Sequence, residues 1–319
     1  MNVQSVGYQT GINYAANMEK KSASGGLGED IQNKSESVDV AEGAKFHKKT
    51  LEERSVELDD AYAVMTSGVN ASKAVSKNES IQIWLKQLGF YNGEINGELY
   101  TDKSRKAIKN FQRVYNLPQS GQMENSAVNK LKEVMTCYRT TASRSDLGKI
   151  TQLVNGHTGY SETQVRDNFA KIWAFLKVGM GLTDAQASGV AGNIMFESGC
   201  YPTNAQDKCG YPGINNPEYK YKTNDRVGYG IMQWTLQSRK QGLQNKASEM
   251  GLGVNDLNAQ LAFIRTESTT TCKSAWANLR KCTTAAQAAA VVFNEIEISQ
   301  DHTLNKRTEY AQKIYSVLH

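Results

Sequence analysis

The chain has 319 residues and no apolar run near the roughly 18 that a membrane-spanning helix needs. Its opening, MNVQSVGYQTGINYAANMEKKSASGG, has no apolar core of the kind an export signal carries, so no ordinary secretory signal is expected. Residues 1–75 lack Trp, Pro and Cys altogether. No Cys-x-x-Cys pair and no Cys/His spacing of the zinc type occurs, and neither a metal nor a cofactor is expected. His157 and His302 have no motif around them, which sets aside a Cys/His peptidase. Basic residues are not interleaved with aromatics in a stripe, so nucleic acid is not the expected partner. What remains is a mild basic excess, +5, suited to a polyanionic surface such as a cell envelope.

Composition divides the chain into four parts. Residues 1–75 are rich in Ser, Lys, Glu, Asp and Asn and read as an extended segment with one helix in LEERSVELDDAYAVM, either a solvated linker or a docking piece for a larger assembly. Residues 76–136 form a compact unit. Ile81, Trp84, Leu85 and Leu88 share one helical face, two Asn-Gly turns follow, and Thr101 caps a helix whose inward stripe is Ala107, Ile108, Phe111 and Tyr115. A third helix runs through Val128 and Leu131. Residues 137–162 are polar and read as an interdomain linker. Any chemistry is expected in residues 163–319.

In that last part, Phe169, Ile172, Trp173 and Leu176 form a broad apolar stripe. The next helix is expected to start at Thr183, with Gln186 at capping-box spacing, and to end at Gly199. Ala187, Gly189, Ala191 and Gly192 are small enough to let neighbouring helices approach, so this helix is expected at the centre. Glu197 falls three residues after Ile194 and seven after Val190, on the same stripe, in the last turn. Partial burial and the negative end of the helix dipole both favour a neutral acid there, as a general acid near neutral pH requires. The plain alternative is a glutamate at the edge of a stripe that reaches water.

The segment GYGIMQWTLQSR, residues 228–239, adds flat faces (Tyr229, Trp234) and an amide (Gln233) suited to sugars. Core packing of Trp234 and a surface position for Arg239 are the simpler readings. A second carboxylate is not fixed; Asp225 is the first candidate, with Asp207 and Glu218 behind it. The cysteine pairs Cys200 with Cys209 and Cys272 with Cys282 would close short loops, each disulfide contributing about 2 to 3 kcal/mol. Cys137 is then left over, and reduced thiols are the alternative.

Two resemblances carry these readings further. LKQLGFYNGEINGELYTDKSRKAIKNFQRVYNLPQSGQM is similar to the three-helix peptidoglycan-binding domain, which implies attachment to the bacterial wall. The ordered set ESG, GYGIMQWT, LNAQLAFIRTE, AAVVFNEIE and RTEYAQKIY resembles the phage tail lysozyme family of the lysozyme-like superfamily. The implied fold class is mainly α, a three-helix peptidoglycan-binding module plus a lysozyme-like α+β catalytic domain with a short β-rich region around residues 200–230. The implied reaction is cleavage of the β-1,4 bond between N-acetylmuramic acid and N-acetylglucosamine, with Glu197 as catalytic acid and Ser198, Tyr229, Gln233 and Trp234 against the substrate. Ile231 stands where related motifs carry Leu, and no Ala-Tyr-Asn motif of lytic transglycosylases is present, although Phe293, Asn294 and Glu295 lie in a comparable place. Hydrolysis, transglycosylation and a non-catalytic structural role in a tail or injection apparatus stay open. Action outside the cytoplasm, at the wall, is expected, with a phage tail or a secretion or injection apparatus delivering the chain and residues 1–75 as the docking segment.

Overall fold

A computed structural model describes residues 75–154, 161–206, 219–299 and 302–319. The expected helix at 51–65, the docking segment as far as residue 74, His157, Asp207, Cys209 and Glu218 lie outside the described residues. Eleven α-helices make up most of what is described, and none of them is long and apolar enough to cross a membrane.

The first module follows from its apolar spacing. Helix α1 (Lys77–Gln87) starts with a full capping box between Ser76 and Glu79, and α2 (Asp102–Val114) starts at Thr101, whose hydroxyl accepts from the Ser104 N–H. Helix α3 (Asn125–Ala142) completes the bundle. Phe111 and Leu131 are wholly buried, and Phe90 meets Phe111 edge-on at 5.6 Å. The second Asn-Gly turn is held by one side chain, since Gln82 Oε1 accepts from both the Asn96 and Gly97 N–H groups at 2.9 and 2.8 Å.

The stretch expected as a linker is folded over 137–154. Helix α3 continues through Cys137 to Ala142, a 3₁₀ turn spans Ser145–Leu147 and a short helix α4 spans Gly148–Thr151. The physical reason is a sparse inward stripe within a polar sequence. Tyr138, Leu147 and Ile150 are buried, and the Tyr138 hydroxyl donates to Asp167 Oδ1 at 2.6 Å on the following helix. That helix, α5 (Glu162–Ala174), runs into a π-helical turn over Phe175–Gly179.

Helix α6 (Asp184–Ser198) is the central element, with every residue from Ala185 to Met195 buried. Its start and stop are the expected ones. Thr183 and Gln186 form a reciprocal capping box, and Gly199 closes the helix in the left-handed region at φ 56°. The small residues act as expected too. A Cβ added to Gly189 would lie 2.3 Å from Ala288 Cβ, and one on Gly192 would lie 2.7 Å from the Ala311 backbone nitrogen. Those neighbours belong to α10 (Ala285–Val291) and α11 (Leu304–Leu318), which pack on either side of α6. Helices α7 (Gln237–Met250), α8 (Leu257–Thr269) and α9 (Lys273–Leu279) complete the domain, and α10 passes into a second π-helical segment, Val292–Glu297. The β-rich region reduces, among the described residues, to two isolated antiparallel bridges, Ala205 with Tyr229 and Tyr229 with Trp234.

The two modules share one continuous apolar core rather than meeting across a solvated gap. Polar side chains lock the contact. Asn258 donates to Leu88 O at 3.1 Å, Asn110 to Met250 O at 3.1 Å and Arg265 Nε to Val114 O at 2.6 Å, while Arg113 pairs with Glu249.

Candidate active site

Glu197 occupies the last turn of α6, and its side chain is 19% exposed, at the point where the central helix meets the surface. The 228–234 segment is tied to that turn by three links. Ser198 Oγ donates to Ile231 O at 3.1 Å, Asn204 Nδ2 donates to the Glu197 carbonyl at 3.0 Å, and Gln233 Nε2 donates to Asn204 O at 3.1 Å. Glu197 and Gln233 are thus brought to one locality from residues far apart in sequence. Two residues of the loop sit at positive φ, Gly230 at 80° and Gln233 at 48°, where the chain folds back on itself.

The carboxyl of Glu197 does not stand alone. Arg307, from the first turn of α11, reaches it through Nη2, and the same guanidinium donates through Nη1 to Glu297 Oε2 at 2.6 Å and to Asn193 Oδ1 at 3.2 Å. Arg307 Nε is satisfied by Thr303 Oγ1 at 2.8 Å. The guanidinium carbon lies 4.4 Å from the Phe196 ring centre and 5.1 Å from that of Phe293, so two aromatic faces enclose it. With 2% of its side chain exposed, Arg307 is a buried cation between two carboxyls. Glu297 ends the π-helical segment and is 5% exposed. Burial, and then the neighbouring Glu197 charge, push its carboxyl well above the ordinary carboxylate range.

Sequence reasoning missed Glu297, Arg307 and Asn193. One signal was available, because Arg307 falls on the buried stripe of α11 with Tyr310, Ala311, Ile314 and Val317. A charged side chain on an apolar stripe needs a charged partner inside.

The other expected site residues are placed differently from one another. Trp234, expected to offer a face to sugar, is 1% exposed; its ring packs against Phe263 and its Nε1 donates to Glu267 Oε2 at 3.0 Å. Tyr229 is buried against Tyr219 and Tyr221, and Ser198 is fully buried with its hydroxyl also on Ile194 O. Among these, Gln233 keeps part of its surface open. Asp225 is engaged elsewhere. Its Oδ1 accepts from Lys240 Nζ at 2.6 Å and from the Val227 N–H, and its Oδ2 from the Tyr219 hydroxyl. Burial alone would raise its carboxyl, but Lys240 and the Val227 N–H outweigh it and hold the group below the usual range. The Lys240 ammonium is itself fully buried under Tyr219 and Tyr221, so this cluster braces the 219–229 loop. Arg239 is likewise internal, bidentate to Glu267 at 2.6 and 2.9 Å.

The expected disulfides do not form. Cys137, Cys200, Cys272 and Cys282 are all unbonded thiols. Cys272 precedes α9 and Cys282 follows it, and a seven-residue helix rising 1.5 Å per residue sets its ends about 10 Å apart, beyond the roughly 7 Å between Cα atoms that a disulfide tolerates. Burial pushes all four thiols up, Cys137 to about 11.

Residues 167–318 match the family model described as phage tail lysozyme, and residues 78–131 match that of the peptidoglycan-binding domain. This larger module is similar to the phage tail lysozyme family. Comparison with curated proteins and with solved structures gave no match. The pairing of a lysozyme module with a wall-binding one makes the protein a lysozyme-like, peptidoglycan-degrading enzyme whose partner is peptidoglycan and whose place of action is the cell wall.

Proposed function

We propose that the protein cleaves the glycan strand of peptidoglycan at the β-1,4 bond between N-acetylmuramic acid and N-acetylglucosamine, with Glu197 as the general acid. The observation that supports this is the position of Glu197. Its carboxyl is the point at which a buried Arg307–Glu297 network reaches solvent, at the junction of the central helix and the 228–234 loop. There it can protonate the leaving oxygen while C1 develops oxocarbenium character. Gln233, held beside this junction, is the amide best placed to meet the sugar.

Asp225 is closed off by Lys240 and Tyr219, which favours a second reading of how the oxocarbenium ion is captured. Attack by the substrate's own C6 hydroxyl needs no separate carboxylate to activate water. Release of muropeptides from purified sacculi tests the assignment: wild type is active, and Glu197→Gln, folded by circular dichroism, loses activity by about 100-fold or more. Undiminished release by Glu197→Gln refutes the role of this residue, and an inactive wild type supports a structural, wall-binding part. Mass analysis of the products decides capture, reducing ends for water and 1,6-anhydro ends for the C6 hydroxyl.

A further inference from the structure

We infer that Glu297 is a positioning residue that holds, directly behind Glu197, the proton that Glu197 delivers to the glycosidic oxygen. The inference rests on the reading of Glu197 as general acid and goes beyond it by saying where the proton is kept between turnovers.

The geometry is that of two carboxyls on one cation. Arg307 bonds Glu297 through Nη1 and Glu197 through Nη2, so a single positive charge faces both acids in a site that is nearly closed to water. With both ionised, the cluster would carry one unpaired buried negative charge; with one proton shared, it is neutral. The remaining oxygen of Glu297 places that proton. Glu297 Oε1 is buried and has no hydrogen-bond donor among the described residues, so as a carboxylate oxygen it would be left bare. Protonated, the Glu297 carboxyl can donate to the neighbouring Glu197 carboxyl, a bond that two carboxylates cannot make. The other charged group nearby is Arg239 on α7, and its guanidinium is already closed by both oxygens of Glu267. The buried Glu297 is therefore the acid that keeps the proton, with the more exposed Glu197 on the solvent side of Arg307.

The step balances. The Glu297 carboxyl proton passes to Glu197, and the carboxylate left on Glu297 is held by Arg307. Glu197 gives the proton to the glycosidic oxygen, the C1–O bond breaks with its electron pair going to that oxygen, and C1 becomes an oxocarbenium ion. The pair now carries one extra negative charge opposite the new positive one. The nucleophile, water or the C6 hydroxyl, bonds to C1 and its proton returns to the pair.

The experiment measures kcat/KM against pH for the full chain on sacculi, comparing wild type, Glu297→Gln and Glu297→Asp. Glutamine keeps the shape and can still donate to Glu197, but it can neither release a proton nor take up charge. The expected result is an alkaline limb displaced downward by about one pH unit or more, with kcat lowered about tenfold or more. Aspartate brings the limb part of the way back. A Glu297→Gln chain that loses thermal stability yet keeps the wild-type limb overturns the inference, because a merely structural glutamate would behave in that way. If Glu297→Gln fails to fold, carboxyl-¹³C glutamate labelling of the wild-type chain decides the matter. One glutamate carboxyl that stays protonated through neutral pH supports the inference, and titration of every glutamate in the ordinary range overturns it. Failure of the underlying reading looks different: there Glu197→Gln retains activity, whereas an inactive Glu197→Gln beside an unshifted Glu297→Gln sinks the proton store alone.

Discussion

Replacing Arg307 by methionine separates charge from packing at the centre of the site. The methionine keeps most of the apolar stem between Phe196 and Phe293, so little volume is lost. What goes is the cation, with its bonds to Glu197, Glu297, Asn193 and Thr303. Removing one partner of a buried ion pair costs about 3 to 5 kcal/mol. The raised proton affinity of Glu297 and the partial exposure of Glu197 point to the lower end, about 3 kcal/mol at neutral pH.

The sign of the pH dependence follows from the same contacts. Without Arg307, burial acts on Glu297 with only the more distant Arg239 to oppose it, so its folded-state proton affinity rises further above that of the unfolded chain, in which glutamate titrates at about 4.3. Such groups contribute stability that is complete below that value and is lost as pH rises. The gap between wild type and Arg307→Met therefore opens with pH, from about 1 kcal/mol in mild acid to about 3 at neutrality. Urea denaturation at the two pH values measures it, and Arg307→Met combined with Glu297→Gln is less destabilised at neutral pH than the two single changes added together. A neutral-pH cost below about 1 kcal/mol, or a cost equal at both pH values, would refute the buried-cation account.

Two further changes test the scaffold. Gly189→Ala gains helix propensity of about 1 kcal/mol, yet its new methyl would meet the Ala288 and Ala289 backbone at 2.6 Å; a net loss of about 1 to 3 kcal/mol is expected, and thermal melting no lower than wild type would contradict the packing of α6 on α10. Trp234→Phe removes the donor to Glu267 while keeping an aromatic ring in the core, so stability falls by about 1 kcal/mol with KM for sacculi unchanged; a KM raised severalfold in a chain that melts normally would return Trp234 to the substrate surface.

Local rules carried the sequence far into the fold. The capping box at Thr183, the Gly199 terminator and the run of small residues on α6 each depend on neighbours within a few positions, so each is visible in a short window. The same window failed at 137–154. There a helix end, a 3₁₀ turn and a short helix are each anchored by a single buried hydrophobic residue, Tyr138, Leu147 and Ile150, and polar composition hid them. Trp234 shows the opposite error, an aromatic beside a glycine turn that offers nothing to solvent because Glu267, on another helix, draws its N–H inward. Asp225 was placed in the right loop but without Lys240, whose buried ammonium decides what that carboxylate can do.

The acid site divides along the same line. Helical spacing put Glu197 at the end of a stripe, which is a statement about one element. That its carboxyl meets a second glutamate through an arginine depends on α6, the π-helical end of α10 and the first turn of α11 converging, and no periodicity in one helix reports on that. The widening of α10 into a π-helical segment matters here, since it carries Phe293 against the guanidinium and ends on Glu297. Gly189 and Gly192 matter for the same reason, because only glycine lets α10 and α11 close on α6 tightly enough for the three side chains to meet. The small residues that marked α6 as central therefore also bring its terminal carboxyl within reach of a partner, and a methyl group at Gly189 should disturb the acid as well as the core.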